Sequence, residues 1–168
     1  KFKLTDNTFR IVFGAGDLSK DKNKGLDLAL KIFEKLHKLN SIKFQVLFFG
    51  DNINFIKNKY NFNFINFGWV NKQKLKEIYS LSDLMICTSK IESFCQTVAE
   101  AQSCSVPVIS YKTSGLNDVI KNNYSGILIK DYKDNKFLKK IINLFKDKNK
   151  NLKFSKNSRK HIKANFDK

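Results

Sequence analysis

The feature that most constrains the fold is the alternation of short, wholly apolar segments with longer segments of helical periodicity. Strands are predicted at residues 9–14, 42–49, 63–67, 84–88, 106–110 and 126–129. Helices are predicted at residues 26–39, 73–80, from 96 onward, 134–145 and 152–165. Strands that lack a polar face and alternate with helices are typical of a parallel sheet covered on both sides. The sequence therefore predicts a single α/β domain with a doubly wound, six-stranded, Rossmann-like parallel sheet.

The loops that could bind a ligand follow the carboxyl ends of the predicted strands. They begin after Phe13, Phe67, Thr88 and Ser110. Doubly wound sheets bind ligands beyond these strand ends, at the point where the strand order reverses. We therefore expect a nucleotide-type cleft.

The loop after the first strand reads GAGDLSKDKNKG. Gly14 and Gly16 would let the backbone approach a phosphate, and Lys24 places a cation at the start of the next helix. The fingerprint G-x-G-x-x-G is not met, because Ser19 stands in place of the third glycine, and the P-loop pattern is absent. A solvated connecting loop explains the same composition.

The segment ESFCQTVAEAQSCSVPV, residues 92–108, places Glu92 and Glu100 on either side of a predicted helix start. A helix that begins near Gln96 leaves its first amides without intrahelical acceptors, and with the helix dipole they form a site for a diphosphate. The two carboxylates, roughly 10 Å apart if helical rise sets their spacing, could accept hydrogen bonds from a sugar on either side. The alternative is an acid at a helix N-terminus and a surface glutamate.

The formal net charge of +17 suggests a polyanion partner. Only two of the 32 basic residues are arginines, however, and the lysines are spread along the whole chain. Proteins that read bases and bind phosphates tightly favour arginine over lysine, so no nucleic-acid partner is expected. Distributed lysines are instead attracted to anionic lipids, so peripheral contact with an anionic membrane surface is expected. The three cysteines lack metal-ligand spacing, and no signal or membrane-spanning segment is found. We expect a cytoplasmic protein with reduced thiols, no metal site and no cofactor.

The segment 92–108 resembles the C-terminal nucleotide-sugar domain of family 4 glycosyltransferases, which have the GT-B fold. That family typically shows Glu-Ser-Phe-Gly, a second Glu eight residues after the first, and then Glu-Ala-x-Ala-Cys-Gly-x-Pro-Val. The similarity covers roughly residues 10–165. It includes Lys24-Gly25, FGWV at 67–70, Leu75, IY at 78–79, SD at 82–83, TSGL at 113–116, DVI at 118–120 and NYSGIL at 123–128.

The resemblance implies a role for each matching residue. Glu92 would be the catalytic residue that holds the transferred sugar, and Glu100 would bind the ribose hydroxyls. Lys24 would neutralise the diphosphate, and the backbone at Trp69 and Val70 would meet the base. The diphosphate would rest on the amides of Phe94, Cys95, Gln96, Thr97 and Val98.

The implied reaction is transfer of a sugar from a nucleotide-sugar donor to an acceptor with retention of configuration. A UDP-sugar is favoured over a GDP-sugar, and the product would enter a bacterial polysaccharide or glycoconjugate. No metal is implied, because helix amides and basic residues can stabilise the departing nucleoside diphosphate.

Three positions depart from the family pattern. Ala15-Gly16 stands where members often have an arginine, which removes or moves one phosphate contact. Cys95 replaces a glycine beside the phosphate site. Ser105 replaces a glycine after Cys104, which argues against a turn with positive φ there.

GT-B enzymes have two domains, and the N-terminal one supplies the acceptor site. We therefore expect residues 1–168 to be a C-terminal donor-binding domain whose N-terminal acceptor domain is absent, with residues 1–8 left from the interdomain linker. Such a domain should bind the donor but transfer nothing alone. The alternatives are a non-catalytic Rossmann-like module that binds nucleotides or polyanions, and an epimerase of similar architecture.

Overall fold

The computed structural model describes residues 7–16, 20–50, 56, 59–131 and 133–166. The strands are β1 (Phe9–Ala15), β2 (Phe44–Gly50), β3 (Phe64–Asn66), β4 (Leu84–Cys87), β5 (Val108–Tyr111) and β6 (Gly126–Ile129). The helices are α1 (Leu26–Leu39), α2 (Lys72–Leu81), α3 (Gln96–Ser103), α4 (Leu116–Val119), α5 (Asp134–Lys146) and α6 (Lys148–Phe166). Within these residues no helix is long and apolar enough to cross a bilayer.

The six strands form one sheet in the order β3-β2-β1-β4-β5-β6, and every pairing is parallel. This is the doubly wound Rossmann order, and it confirms the predicted fold class. The order reverses between β1 and β4, so the carboxyl ends of these two strands form the topological switch point.

Side chains of each strand alternate between two hydrophobic cores. In β1, Ile11 and Phe13 join the core under α1 and α5, whereas Val12 joins the core under α2, α3 and α4. β4 divides in the same way, with Ile86 on the first face and Cys87 on the second. Because both faces are buried, the strands need apolar residues at every position, which is the pattern that the sequence shows.

Element boundaries differ from the predictions where local hydrogen bonds outweigh hydrophobic pattern. α6 begins at Lys148, four residues before the first apolar residue, because the Asp147 carboxylate accepts a hydrogen bond from the Lys150 amide and caps the helix. α4 is only four residues long and was not predicted. β5 begins at Val108, because Val106 belongs to the end of α3.

The end of α3 is a Schellman motif, in which the Val106 amide donates to the Ala101 carbonyl and the Ser105 amide to the Gln102 carbonyl. This motif requires a left-handed residue at Ser105, whose φ is 65°. The prediction that a serine here argues against positive φ is therefore wrong. Two backbone hydrogen bonds and the burial of Val106 hold a conformation that serine by itself disfavours.

Candidate functional site

The loops that follow β1 and β4 are joined across the switch point by three hydrogen bonds. The Lys90 amide donates to the Asn23 carbonyl over 2.8 Å. The Thr88 hydroxyl lies 2.8 Å from the Gly25 carbonyl and 3.3 Å from that of Lys24. These contacts fix the start of α1 against the end of β4.

Gly25 makes this close approach possible. Its φ is 69°, and a Cβ atom on it would lie 2.2 Å from the Thr88 carbonyl oxygen. Any larger residue would push the two loops apart, so the Lys-Gly pair noted in the sequence has a structural reason in addition to its charge.

Lys24 and Glu92 form an ion pair where the two loops meet. The Lys24 Nζ lies 3.0 Å from the Glu92 Oε1, and the side chains are 27% and 8% exposed. Burial by itself would lower the pKa of Lys24, but the hydrogen bond and charge of Glu92 outweigh it, and the pKa is raised. The ammonium group therefore stays charged at neutral pH.

A third loop holds the backbone of Glu92. The Gly115 amide donates to the Glu92 carbonyl over 3.0 Å, and the Ser114 hydroxyl lies 3.2 Å from the same oxygen. A Cβ on Gly115 would lie 1.9 Å from the Ser93 carbonyl oxygen, so only glycine fits this contact. The loop after β5 thus positions the candidate catalytic carboxylate.

Below the ion pair lies a hollow at the carboxyl ends of β1 and β4. Its lining includes Gly14, Lys24, Glu92, Cys95 and Thr97 among the predicted site residues. Its free volume is about 10 Å³, enough for about one water molecule. A diphosphate does not fit inside it, so an anion of that size would have to rest above the hollow or separate Lys24 from Glu92.

The start of α3 offers free amides toward the same place. Cys95 is the N-cap, with φ 61° and ψ 73°, and no side chain caps the helix. In the described part of the chain, the amides of Cys95, Gln96 and Thr97 have no hydrogen-bond acceptor. The Val98 amide, in contrast, donates to the Cys95 carbonyl over 3.0 Å.

The prediction that Val98 contributes a free amide is therefore wrong. The first turn of α3 is tightened, so its orphan amides end at Thr97, and the Val98 side chain lies wholly in the core.

Two thiols lie at the base of the hollow. The Cys87 thiol donates to the Ser89 Oγ over 3.6 Å, and the Cys95 Sγ is 3.6 Å from the Thr97 Oγ1. Interaction with the neighbouring Cys95 thiol lowers the pKa of Cys87, and interaction with Cys87, together with burial, raises the pKa of Cys95.

Glu100 lies in a different place from Glu92. Its carboxylate accepts a hydrogen bond from the Gln96 side chain over 3.2 Å. It borders a groove of about 650 Å³ between α2, α3 and α6, whose lining includes Lys72, Lys76, Tyr79, Arg159 and Lys163. The structure therefore places the two carboxylates in separate depressions. Glu92 borders the hollow before the start of α3, and Glu100, in the second turn of α3, borders the groove.

Tyr79 connects α2 to the start of α3. Its buried hydroxyl donates to the Thr97 carbonyl over 3.2 Å. Burial, and then the charge of Glu100, raises the pKa of Tyr79, so the phenol remains a donor at neutral pH.

The other predicted contacts border the loop after β1 and the end of β3. The Trp69 ring is 68% exposed, and a Cβ on Gly16 would lie 3.2 Å from its edge. Val70 is partly buried against the second core. Gly14 has a packing reason of its own, because a Cβ there would lie 2.5 Å from the Phe49 ring.

Phe94 is 39% exposed and packs edge-on against Phe166 of α6, with ring centroids 5.4 Å apart. Among the described residues, no three His, Cys, Asp or Glu side chains are placed to share a metal ion.

Sequence reasoning missed four contributors to this site. Gly115, Ser114 and Tyr79 were noted only as parts of family-like segments. The hydroxyl contact of Thr88 carried no signal, because a buried hydroxyl that donates to a backbone carbonyl has no sequence pattern. The residue types that follow β1, β4 and β5 were the available hint, since parallel strand ends meet at one edge.

A family model described as glycosyl transferases group 1 matches residues 1–161. Among curated relatives, the α-galactosylglucosyldiacylglycerol synthase of Streptococcus pneumoniae is 31% identical over 127 residues, which cover 72% of this chain and 33% of the relative. The chain spans about a third of the length of the first relatives it matches.

Two solved structures have the same fold. Staphylococcus aureus TarM, in complex with fondaparinux, α-GlcNAc-glycerol and UDP, superposes with a TM-score of 0.81 at 17% identity over 96% of this chain and 33% of TarM. The C-terminal domain of a group 1 glycosyl transferase from Francisella tularensis gives 0.74 at 17% identity, over 95% of this chain and 86% of that domain.

Proposed function

Because the chain belongs to the glycosyl transferases group 1 family, we propose that it binds the nucleotide-sugar donor of a retaining family 4 glycosyltransferase. The observation that carries this proposal is the Lys24–Glu92 ion pair at the switch point, beside the free amides of α3. The Lys24 ammonium could neutralise the diphosphate, and the Glu92 carboxylate could accept hydrogen bonds from the sugar. The loops that carry them are held by close backbone contacts at Gly25 and Gly115.

The diphosphate would bind above the hollow. The uncapped amides of Gln96 and Thr97 would donate hydrogen bonds to it, and the Lys24 ammonium would supply a full positive charge. When the sugar leaves, the nucleoside diphosphate gains negative charge, and these fixed donors stabilise it without a metal. Ala15-Gly16 in place of an arginine makes Lys24 the main cation of this site.

Donor binding would release Glu92 for the sugar. Once Lys24 turns toward phosphate, the carboxylate can accept hydrogen bonds from two hydroxyls of the transferred sugar. The Gly115 amide and Ser114 hydroxyl hold its backbone in place through this exchange.

The nucleoside would extend from the start of α3 toward the groove at Glu100. The carboxylate there is accessible and only weakly engaged by Gln96, so ribose hydroxyls can replace that contact. The exposed Trp69 ring and the backbone at Val70 border the β3 end, where a base would lie.

The whole enzyme would place an N-terminal acceptor domain over this surface, and residues 1–168 would be its C-terminal donor half. The similarity to an isolated C-terminal domain supports this arrangement, and UDP in the TarM complex supports UDP as the nucleotide. The chain alone would bind donor and transfer no sugar. Peripheral contact with an anionic membrane, without a nucleic-acid partner, completes the proposal.

Calorimetry with UDP, GDP and a short DNA duplex tests this function. We expect saturable UDP binding that Lys24→Met weakens at least tenfold, because hydrogen bonds to charged groups contribute about 1.5–3 kcal/mol. Lys22→Met is the matched control, since Lys22 is exposed in the same turn, and it should change UDP affinity less than twofold.

The alternative, a polyanion-binding module, predicts a different result. Duplex binding would then exceed nucleotide binding and fall steeply as salt releases condensed counterions. An epimerase would bind UDP-sugar and invert a sugar centre, which NMR of the incubated donor would detect. Either outcome would contradict the proposed function.

A further inference from the structure

Two of the three cysteines lie together directly beneath the proposed donor site. Cys87 ends β4 and Cys95 caps α3, so the βα connection of the switch point brings them to one hollow. They are 5% and 8% exposed, both line this one small hollow, and each thiol is within hydrogen-bonding distance of a neighbouring hydroxyl. Nothing in the donor-binding scheme uses the Cys87 thiol.

The surroundings favour a thiolate in this pair. The amides at the α3 start and the Lys24 ammonium border the same hollow, and both stabilise negative sulfur. The Cys87 thiol donates to the Ser89 hydroxyl, and the neighbouring Cys95 thiol lowers the pKa of Cys87. A cavity of about 10 Å³ holds about one water molecule, so a small oxidant such as hydrogen peroxide is a better fit to its opening than a bulky disulfide reagent.

We propose that Cys87 and Cys95 are a peroxide-sensitive thiol pair, and that their oxidation to a disulfide weakens donor binding at the start of α3. The effect on binding rests on the function proposed above, whereas formation of the disulfide does not.

The chemistry needs one molecule of hydroperoxide. The Cys87 thiolate attacks one peroxide oxygen, the O–O bond breaks, and the leaving hydroxide takes a proton to become water. The Cys95 sulfur, having lost its proton, then attacks the sulfenic acid. The S–S bond forms as the S–O bond breaks, and the hydroxide that leaves is protonated to a second water. Two thiols are oxidised, and the peroxide is reduced to two waters.

A disulfide would change the site, because its geometry is narrow. It fixes the Cβ–Cβ distance at about 3.5–4.5 Å and the dihedral near ±90°. Cys95 already holds a left-handed N-cap conformation, directly before the uncapped amides of Gln96 and Thr97. Adjusting Cys95 to the new bond would turn these amides and lower nucleoside diphosphate affinity.

The test titrates the reduced 168-residue chain with hydrogen peroxide and follows intact mass, thiol count and UDP affinity. We expect a loss of two hydrogen atoms, a free thiol on Cys104 only, a fall of at least tenfold in UDP affinity, and recovery with dithiothreitol. Peptide mapping should locate the bond between residues 87 and 95. Cys104→Ser should behave like the unmodified chain.

Cys87→Ser should keep UDP affinity in the absence of peroxide and become insensitive to it. If this variant does not fold, Cys87→Ala serves the same purpose. Addition of oxygen without a disulfide, or an undiminished peroxide effect in the Cys87 variants, would overturn the proposal. A reduced chain that does not bind UDP would overturn the proposed function and the effect on binding, while the mass result would still decide whether the pair forms.

Discussion

At the scale of single residues, Gly25 is a position where an added Cβ atom should destabilise the fold strongly. Its φ of 69° and the 2.2 Å approach of a virtual Cβ to the Thr88 carbonyl act together. Gly25→Ala should lower the free energy of unfolding by more than the roughly 1–2 kcal/mol that left-handed backbone costs a non-glycine residue. Urea denaturation measures this change.

The variant Gly68→Ala separates the conformational cost of positive φ from the steric clash. The φ of Gly68 is 62°, but a Cβ there meets nothing within 4 Å. Gly68→Ala should therefore show the conformational cost without the clash. Equal losses in both variants would mean that the loop contact at Thr88 relaxes at little cost.

The Lys24–Glu92 ion pair predicts a pH dependence of stability. The pKa of Lys24 is raised in the folded chain above its ordinary value of 10.5. The pair therefore stabilises the fold fully below that value, and its contribution is lost as pH rises through the folded-state pKa. The stability difference between the unmodified chain and Lys24→Met should shrink above about pH 10.5. A stability difference that stays the same above pH 10.5 would contradict this prediction.

At the scale of elements, the end of α3 carries strain that glycine would relieve. Ser105 has a φ of 65° at the position where Schellman motifs usually have glycine. Ser105→Gly should raise the free energy of unfolding by up to about 1 kcal/mol. Ser103→Gly, two residues earlier at the exposed last position of α3, should instead lower it by up to about 1 kcal/mol, because glycine has a low helix propensity. Destabilisation by both variants would show that Ser105 is not strained.

The orientation of α3 depends on α2 through one hydrogen bond. Tyr79→Phe removes the donor to the Thr97 carbonyl and leaves the ring in the core. A loss of about 0.5–1.5 kcal/mol in unfolding free energy is expected. Because Thr97 lies in the first turn that would hold the diphosphate, UDP affinity should fall as well. Unchanged affinity despite the stability loss would show that the amides do not depend on this anchor.

At the scale of the whole molecule, charge is uneven. α6 has six lysines and one arginine between Lys148 and Phe166 and no acidic residue. The chain should therefore co-sediment with anionic vesicles at low salt and not with neutral vesicles. Binding to anionic vesicles should weaken as added salt shortens the Debye length.

Matched triple variants locate the contact. Replacing Lys156, Lys160 and Lys163 of α6 with glutamate should abolish pelleting, whereas the same change at Lys130, Lys139 and Lys140 should reduce it only slightly. Binding that persists at high salt, or equal loss in both triple variants, would contradict a specific contact through α6.

Hydrophobic pattern alone was enough to predict the parallel sheet, its six strands and the strand ends that border the candidate site. Hydrophobic patterning is a property of each residue and its near neighbours, so strands buried on both faces are visible in the chain. The same local logic predicted that α3 begins near Gln96 and that Glu92 lies just before it.

The tertiary structure alone decided which of these groups meet. The Lys24 ammonium hydrogen-bonds the Glu92 carboxylate although 68 residues separate them in the sequence. Gly115 packs closely against the Ser93 carbonyl, and Glu100 borders a different groove. It also tightened the first α3 turn, so that Val98 offers no free amide, and held Ser105 in a left-handed turn. Contacts between distant loops depend on how strands are ordered and how closely backbones approach, and neither quantity is encoded in a local run of residues.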